Sequence, residues 1–268
     1  MAKRFQDSVV VITGGGRGIG RATALEFAQE GATCVLAGRR MDALQTAAGE
    51  VRHSGGKADI VACDVMKQDD LTALVTNTIE RHGKIDVLVN NAGVVSGGRL
   101  DEISKEDIDR MVGVNVWAPL RLTQIVLPHM RQRKAGAIVN ISSVAGRMGV
   151  PFYATYCASK FAMRGFSEAL RRELRPDGVH VMAVFPGGTA TDMLENVEFE
   201  RFGVSIATAQ QVGAAIVRGV RWRQGEVFIG IGESMMSHWN DIAPWTVDIG
   251  VDVVREQFRA AVQEQRTT

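Results

Sequence analysis

Tyr156 and Lys160 stand four residues apart in the run Tyr156-Cys157-Ala158-Ser159-Lys160, and on a helix that spacing sends both side chains from one face. A phenol beside an ammonium is an acid/base device. An unperturbed phenol, with a pKa of about 10, exchanges protons poorly at neutral pH, whereas a neighbouring positive charge favours phenolate and is expected to lower that value towards the working range. Ser143 lies thirteen positions upstream at the end of an apolar run, placed to hold the oxygen of a reacting carbonyl or alcohol against the phenol. A hydrolase triad finds no support, since no His is in register and no Gly-x-Ser-x-Gly elbow surrounds Ser143. The five histidines (His53, His82, His129, His180, His238) lack metal-ligand spacing, so no metal is expected.

A second constellation opens the chain. Thr13-Gly14-Gly15-Gly16-Arg17-Gly18-Ile19-Gly20 joins an apolar run to a helical pattern. Glycines there permit positive φ and let a pyrophosphate approach the backbone at the positive end of a helix. About twenty residues on, where a carboxylate would bind ribose hydroxyls, stand Arg39 and Arg40. Guanidinium groups there, with Arg17, suit a 2′-phosphate and favour NADP(H) over NAD(H). Asn90-Asn91-Ala92-Gly93 offers small residues beside a cofactor ribose, Asn115 sits in a helical pattern, and Pro186-Gly187-Gly188-Thr189-Ala190-Thr191 suits a turn around a carboxamide.

The elements that must position these groups are read from the hydrophobic rhythm. Apolar runs at Val9 to Thr13, Thr33 to Ala37, Ala58 to Cys63, Ile85 to Asn90, Ala137 to Ile141, Val179 to Phe185 and Glu226 to Ile229 alternate with helical patterns such as Gly18 to Glu30, Asp69 to Arg81 and Tyr156 to Arg175. That alternation predicts an α/β fold of Rossmann type, doubly wound, with a seven-stranded parallel sheet and helices on both faces. The 268 residues, 46% hydrophobic, are expected to form one domain, with a substrate lid around 188–206 and an atypical C-terminal segment from 231 to 268. Met235, Met236, Trp239 and Trp245 are read as core packing, with a substrate lid or a membrane-facing patch as the alternative; an amphipathic helix is expected from about Val247 to Val262, and the polar tail from Gln263 is expected to be disordered.

With 31 basic and 30 acidic residues, no global field recruits nucleic acid or an anionic membrane. The apolar stretch near the N-terminus is too short for a membrane span and wrongly flanked for a signal peptide, so a cytoplasmic protein is expected. Cys34, Cys63 and Cys157 have no framework spacing and are read as buried thiols.

Taken together, these residues resemble the single-domain branch of the short-chain dehydrogenase/reductase family, from about Val9 to Met193. The resemblance implies Tyr156 as general acid/base, Lys160 as its pKa partner and a ribose ligand, Ser143 as carbonyl orienter and Asn115 as holder of a water in a proton relay. It places Gly14, Gly16, Arg17, Gly18, Ile19 and Gly20 on the pyrophosphate side, and Asp64 and Val65 beside the adenine. Asn91, Ala92 and Gly93 would border the ribose; Pro186, Gly187, Thr189 and Thr191 would meet the nicotinamide. The implied activity is hydride transfer between NADP(H) and a hydrophobic secondary alcohol or ketone, by a homodimer or homotetramer. The C-terminus lacks the Asp-Gly-Gly type ending of the β-ketoacyl reductases, which argues against a role in fatty-acid synthesis. A binding or scaffold protein without turnover is the alternative reading, and an epimerase or dehydratase on the same scaffold would need a larger C-terminal region.

Overall fold

A run such as Val9-Val10-Val11-Ile12-Thr13 has no polar face, so a sheet built from such strands has to be covered on both sides. A computed structural model of the chain, which describes residues 3–187, 189–190 and 207–267, shows how this is met. In chain order come β1 (Val9–Thr13), α1 (Gly18–Gln29), β2 (Thr33–Gly38), α2 (Met41–His53), β3 (Lys57–Ala62), α3 (Gln68–His82) and β4 (Val87–Asn90). Next are α4 (Lys105–Val112), α5 (Ala118–Arg133), β5 (Gly136–Ile141), α6 (Ala154–Glu173) and β6 (Val179–Pro186). The two-residue strands β7 (Thr189–Ala190) and β8 (Ala207–Thr208) precede α7 (Ala209–Arg221), β9 (Glu226–Ile229), α8 (Ile231–Ile242) and α9 (Pro244–Thr267).

Seven strands form one parallel sheet in the order β3-β2-β1-β4-β5-β6-β9. Alternate residues of each strand feed two cores. Val10 and Ile12 join Phe27, Leu36, Leu44 and Ile216 on the face covered by α1, α2 and α7. Val9 and Val11 join Leu74, Leu122, Val126 and Leu170 on the face covered by α3, α5 and α6. The order reverses between β1 and β4, and at such a switch point the strand ends leave a crevice for a ligand.

Each of the seven strands of the large sheet lies within two residues of its sequence-predicted range, while the two-residue β7 and β8 were not expected. The C-terminus departs from expectation twice. Helix α9 continues to Thr267, so the tail is helical where disorder was expected. Met235, Trp239 and Trp245 are 68%, 54% and 67% exposed, so they do not pack into the core. The reason is geometric: α8 packs on β9 through the face that carries the fully buried Ser237, which leaves Met235 and Trp239 on its outer face. The expected lid falls almost wholly on 188 and 191–206, outside the described residues.

Candidate active site

The crevice at the strand ends is a cleft of about 300 Å³. Its floor is the turn after β1. Gly14 and Gly18 hold φ of 64° and 50°, conformations that side chains rarely adopt. Arg17, at the head of α1, supplies no side-chain cap, so the first-turn N–H groups have no capping side chain where an anion would sit. Gly16 and Ile19 line the cleft, but Gly20 does not. A methyl on Gly20 would lie 2.4 Å from Gly14 O and 2.6 Å from Asn91 Nδ2, so this glycine is needed for close packing behind the turn. Asn91 closes the same knot: its Nδ2 donates to Thr13 O (2.9 Å) and Gly14 O (3.2 Å), while Thr13 Oγ1 accepts from Asn91 N and Ala92 N, both at 3.0 Å.

Arg39 and Arg40 follow β2 on the rim, exposed and without an ion pair among the described residues. No carboxylate stands beside them at that strand end; Asp64 and Val65, after β3, line the adjoining wall. The Asp64 N–H donates to Asp70 Oδ2 (2.8 Å), which fixes this corner. These features fit a dinucleotide: bare backbone donors for the pyrophosphate, room above glycines, and cations at the adenosine end.

The reacting end is set by β5 and α6. Ser143 follows β5 and caps a 3-10 turn (Val144–Gly146), its Oγ accepting from Ala145 N (3.1 Å). Tyr156 and Lys160 leave the first turns of α6 on one face, as expected, with Nζ 5.6 Å from the centre of the Tyr156 ring. Lys160 is 5% exposed and donates to Ile141 O (3.0 Å). Burial lowers its pKa to about 8. The phenol moves opposite to expectation: burial pushes Tyr156 up to about 12, with a hydrogen bond to Ser143 acting weakly the other way. Lys160 Nζ spends its hydrogen bond on Ile141 O, and no lowering by the ammonium offsets the burial.

Asn115 is 2% exposed and lies behind the cleft wall, in a π-helical turn (Gly113–Trp117) between α4 and α5. Such turns recur at functional sites. Its Oδ1 accepts from Val94 N (2.9 Å), and its Nδ2 donates to Val94 O (2.9 Å) and Ser159 Oγ (3.0 Å). Ser159 Oγ in turn donates to Tyr156 O (2.7 Å). The amide therefore ties the loop after β4 to the helix bearing the phenol. Both amide hydrogens are committed, so the side chain can meet a water only as an acceptor.

Ala92, Gly93, Pro186 and Gly187 complete the lining. Thr189 starts β7, paired with Ala207 of β8, and Thr191 lies outside the described residues. All three cysteines are free and buried. Among the described residues no cluster of potential metal ligands gathers, and no helix is long and apolar enough to cross a membrane.

Arg147 is a residue that sequence reasoning missed. It is 4% exposed, reaches Glu226 Oε2 (3.5 Å) and Asp241 Oδ2 (3.2 Å), and lies over the rings of Phe185 and Phe228. It fastens the segment after Ser143 to β9 and α8. Its partners are distant in sequence, so no local pattern announces it.

Comparison with known proteins agrees with this geometry. A 3-oxoacyl-[acyl-carrier-protein] reductase from Thermotoga maritima is 37% identical over 194 residues, covering 72% of this chain and 79% of the relative. A metagenomic short-chain oxidoreductase solved with NADP superposes with TM-score 0.74 at 33% identity, covering 84% of this chain and 97% of that one. A short-chain dehydrogenase/reductase from Burkholderia phymatum, solved with NAD, gives 0.84 at 28%, covering 90% and 95%. With residues 8–201 also matching the family model for short chain dehydrogenase, the chain belongs to that family of oxidoreductases.

Proposed function

We propose that this protein is an NADP(H)-dependent carbonyl reductase acting on a hydrophobic ketone. The observation that carries the reading is the buried pair of Tyr156 and Lys160 on one face of α6, with Ser143 opposite, at the inner end of a dinucleotide cleft. A nicotinamide nucleotide bound there would supply the hydride. Ser143 would donate a hydrogen bond to the substrate carbonyl oxygen and hold it near the phenol. Tyr156 then gives up its proton to that oxygen, and the alcohol leaves with one new C–H and one new O–H bond. At neutral pH the phenol is protonated, the state it needs in order to donate to a carbonyl oxygen. Lys160, charged below about pH 8, stabilises the phenolate left behind. Asn115 can accept from a water that returns a proton from solvent.

Arg39 and Arg40, cationic and without ion-pair partners among the described residues at the end of β2, support a 2′-phosphorylated cofactor. Val94, Val95 and Phe152, partly exposed beyond the phenol, support an apolar substrate. We read the chain as one nucleotide-binding domain of the cytoplasm, working as a homodimer. Met235, Trp239 and Ile242 form a stripe on α8 that Trp245 and Ile249 continue on α9, and Trp239 Nε1 donates to Thr246 Oγ1 across the bend (2.8 Å). Exposed aromatic and aliphatic side chains gathered in one stripe are what the core of a protein–protein interface is made of. Residues 231–268 contain no lysine and six acidic side chains against three arginines, which suits a second copy better than an anionic lipid surface.

The test is NADPH oxidation with a panel of small and bulky ketones. Turnover with at least one, reduced by about 100-fold or more in Tyr156→Phe with NADPH affinity retained, is the expected result. Cofactor binding without turnover on any carbonyl would leave the scaffold reading in its place.

A further inference from the structure

Tyr156 packs against a small apolar cluster, and one member of that cluster comes from the far end of the chain. The loops after β4 and before α6 meet where Gly98 N donates to Phe152 O (2.7 Å). Phe152 has φ of 65°, which a bulky residue adopts only when its surroundings impose it. Against this junction lies Val262 of α9, 4% exposed although Arg259, Ala260 and Gln263 beside it are open to solvent. Val262 packs with Ala145, Tyr153 and Cys157 into a small buried cluster, and Val95, Phe152 and Tyr156 pack around it. The fit is close: a methyl on Gly97 would come within 2.9 Å of both Val262 Cγ2 and the Tyr153 ring. A residue more than a hundred positions beyond Tyr156 thus backs the apolar surface that the acid/base tyrosine faces.

We propose that Val262 is a specificity-determining residue, whose side chain sets how bulky a carbonyl substrate can be seated beside Tyr156. Its isopropyl group fills the space behind Tyr153 and Val95, the partners through which this wall would yield to a larger substrate. Truncating it leaves room on the substrate side and nothing altered at the glycine turn, Arg39 or Lys160. The inference rests on the carbonyl-reductase reading, and its test keeps the two separable.

With wild type, Val262→Ala and Val262→Ile as holoenzymes, kcat/KM is measured for a small cyclic ketone and for a bicyclic or aryl ketone. The ratio of bulky to small is expected to rise on the order of tenfold in Val262→Ala and to fall in Val262→Ile, chiefly through KM, with KM for NADPH constant. A wall that merely supports the fold would instead change both ketones in equal proportion, and that result would overturn the inference. Should wild type reduce no ketone, the carbonyl-reductase reading fails, and Val262 is then examined by binding. The affinities of a small cyclic and a bicyclic alcohol for the NADP-loaded wild type and Val262→Ala are measured by calorimetry. A bulky-to-small affinity ratio raised in Val262→Ala upholds the wall, and an unchanged ratio sinks it.

Discussion

Burial of Lys160 gives the folded protein a measurable dependence on pH. An amine lowered from its ordinary 10.5 to about 8 costs the protonated folded state about 3 kcal/mol relative to the unfolded chain. The unfolded chain binds this proton up to pH 10.5 and the folded one releases it from about 8 upward. Stability from this group is therefore fully present above 10.5 and lost as pH falls through 8. Tyr156 works in a higher window: raised from 10 to about 12, its phenol contributes stability below pH 10 that is lost as pH rises towards 12. The cofactor-free protein should accordingly gain stability from pH 8 to 10 and lose it above. Urea unfolding at half-unit steps from pH 7 to 11, for wild type and Lys160→Met, reads this directly. Lys160→Met removes the buried charge and should flatten the rise between pH 8 and 10 while leaving the decline above 10. If both proteins follow the same slope between pH 8 and 10, Lys160 is not held in the dry environment described here.

Further outcomes follow from other contacts. Arg39→Asp places a carboxylate where a 2′-phosphate would lie and should shift the ratio of NADPH to NADH affinity by at least about tenfold towards NADH, measured by fluorescence titration of each nucleotide. Asn115→Leu severs the tie to Val94 and Ser159; it should lower stability by about 2 kcal/mol in urea titration, because the Val94 backbone groups are left unpaired. Arg147→Met removes the cation beside Glu226, while Asp241 keeps Arg164 at 3.7 Å, and since both carboxylates retain solvent contact the loss should stay at about 1 kcal/mol, seen as a lower Tm by calorimetry. Met235→Glu with Trp239→Lys should convert a dimer to a monomer in light scattering, and a wild-type monomer would remove the proposed role of that stripe.

What the sequence made legible follows from how each feature is encoded. Strands buried on both faces must be continuous apolar runs, so β1, β4 and β6 are visible to within two residues. Tyr156 and Lys160 share a turn of one helix, and their alignment is local. Helix α7 was passed over, yet it carries a local signature: Thr208 and Gln211 form a capping box before Val212, Ala215 and Ile216. Other features are not local. The contacts of Arg147 join residues brought together only by the sheet order, and the role of Gly20 in packing needs the position of Asn91. The direction of the Tyr156 shift depends on burial outweighing the hydrogen bond to Ser143, a competition that residue spacing cannot decide. Met and Trp residues at the C-terminus were misjudged because composition does not say which face of a helix meets the body of the protein.

The π-helical turn at Gly113–Trp117 constrains how this chain can change. Ala118 N–H reaches back five residues to Gly113 O, so the turn holds one residue more than an α-helix would. Each residue of an α-helix advances about 100° around the axis. Removing any one of these five to restore regular winding would rotate α5 by that amount against Asn115, and either Leu122, Val126 and Met130 would swing off the sheet or Asn115 would leave Val94. The segment therefore tolerates exchanges of side chain far better than loss of length.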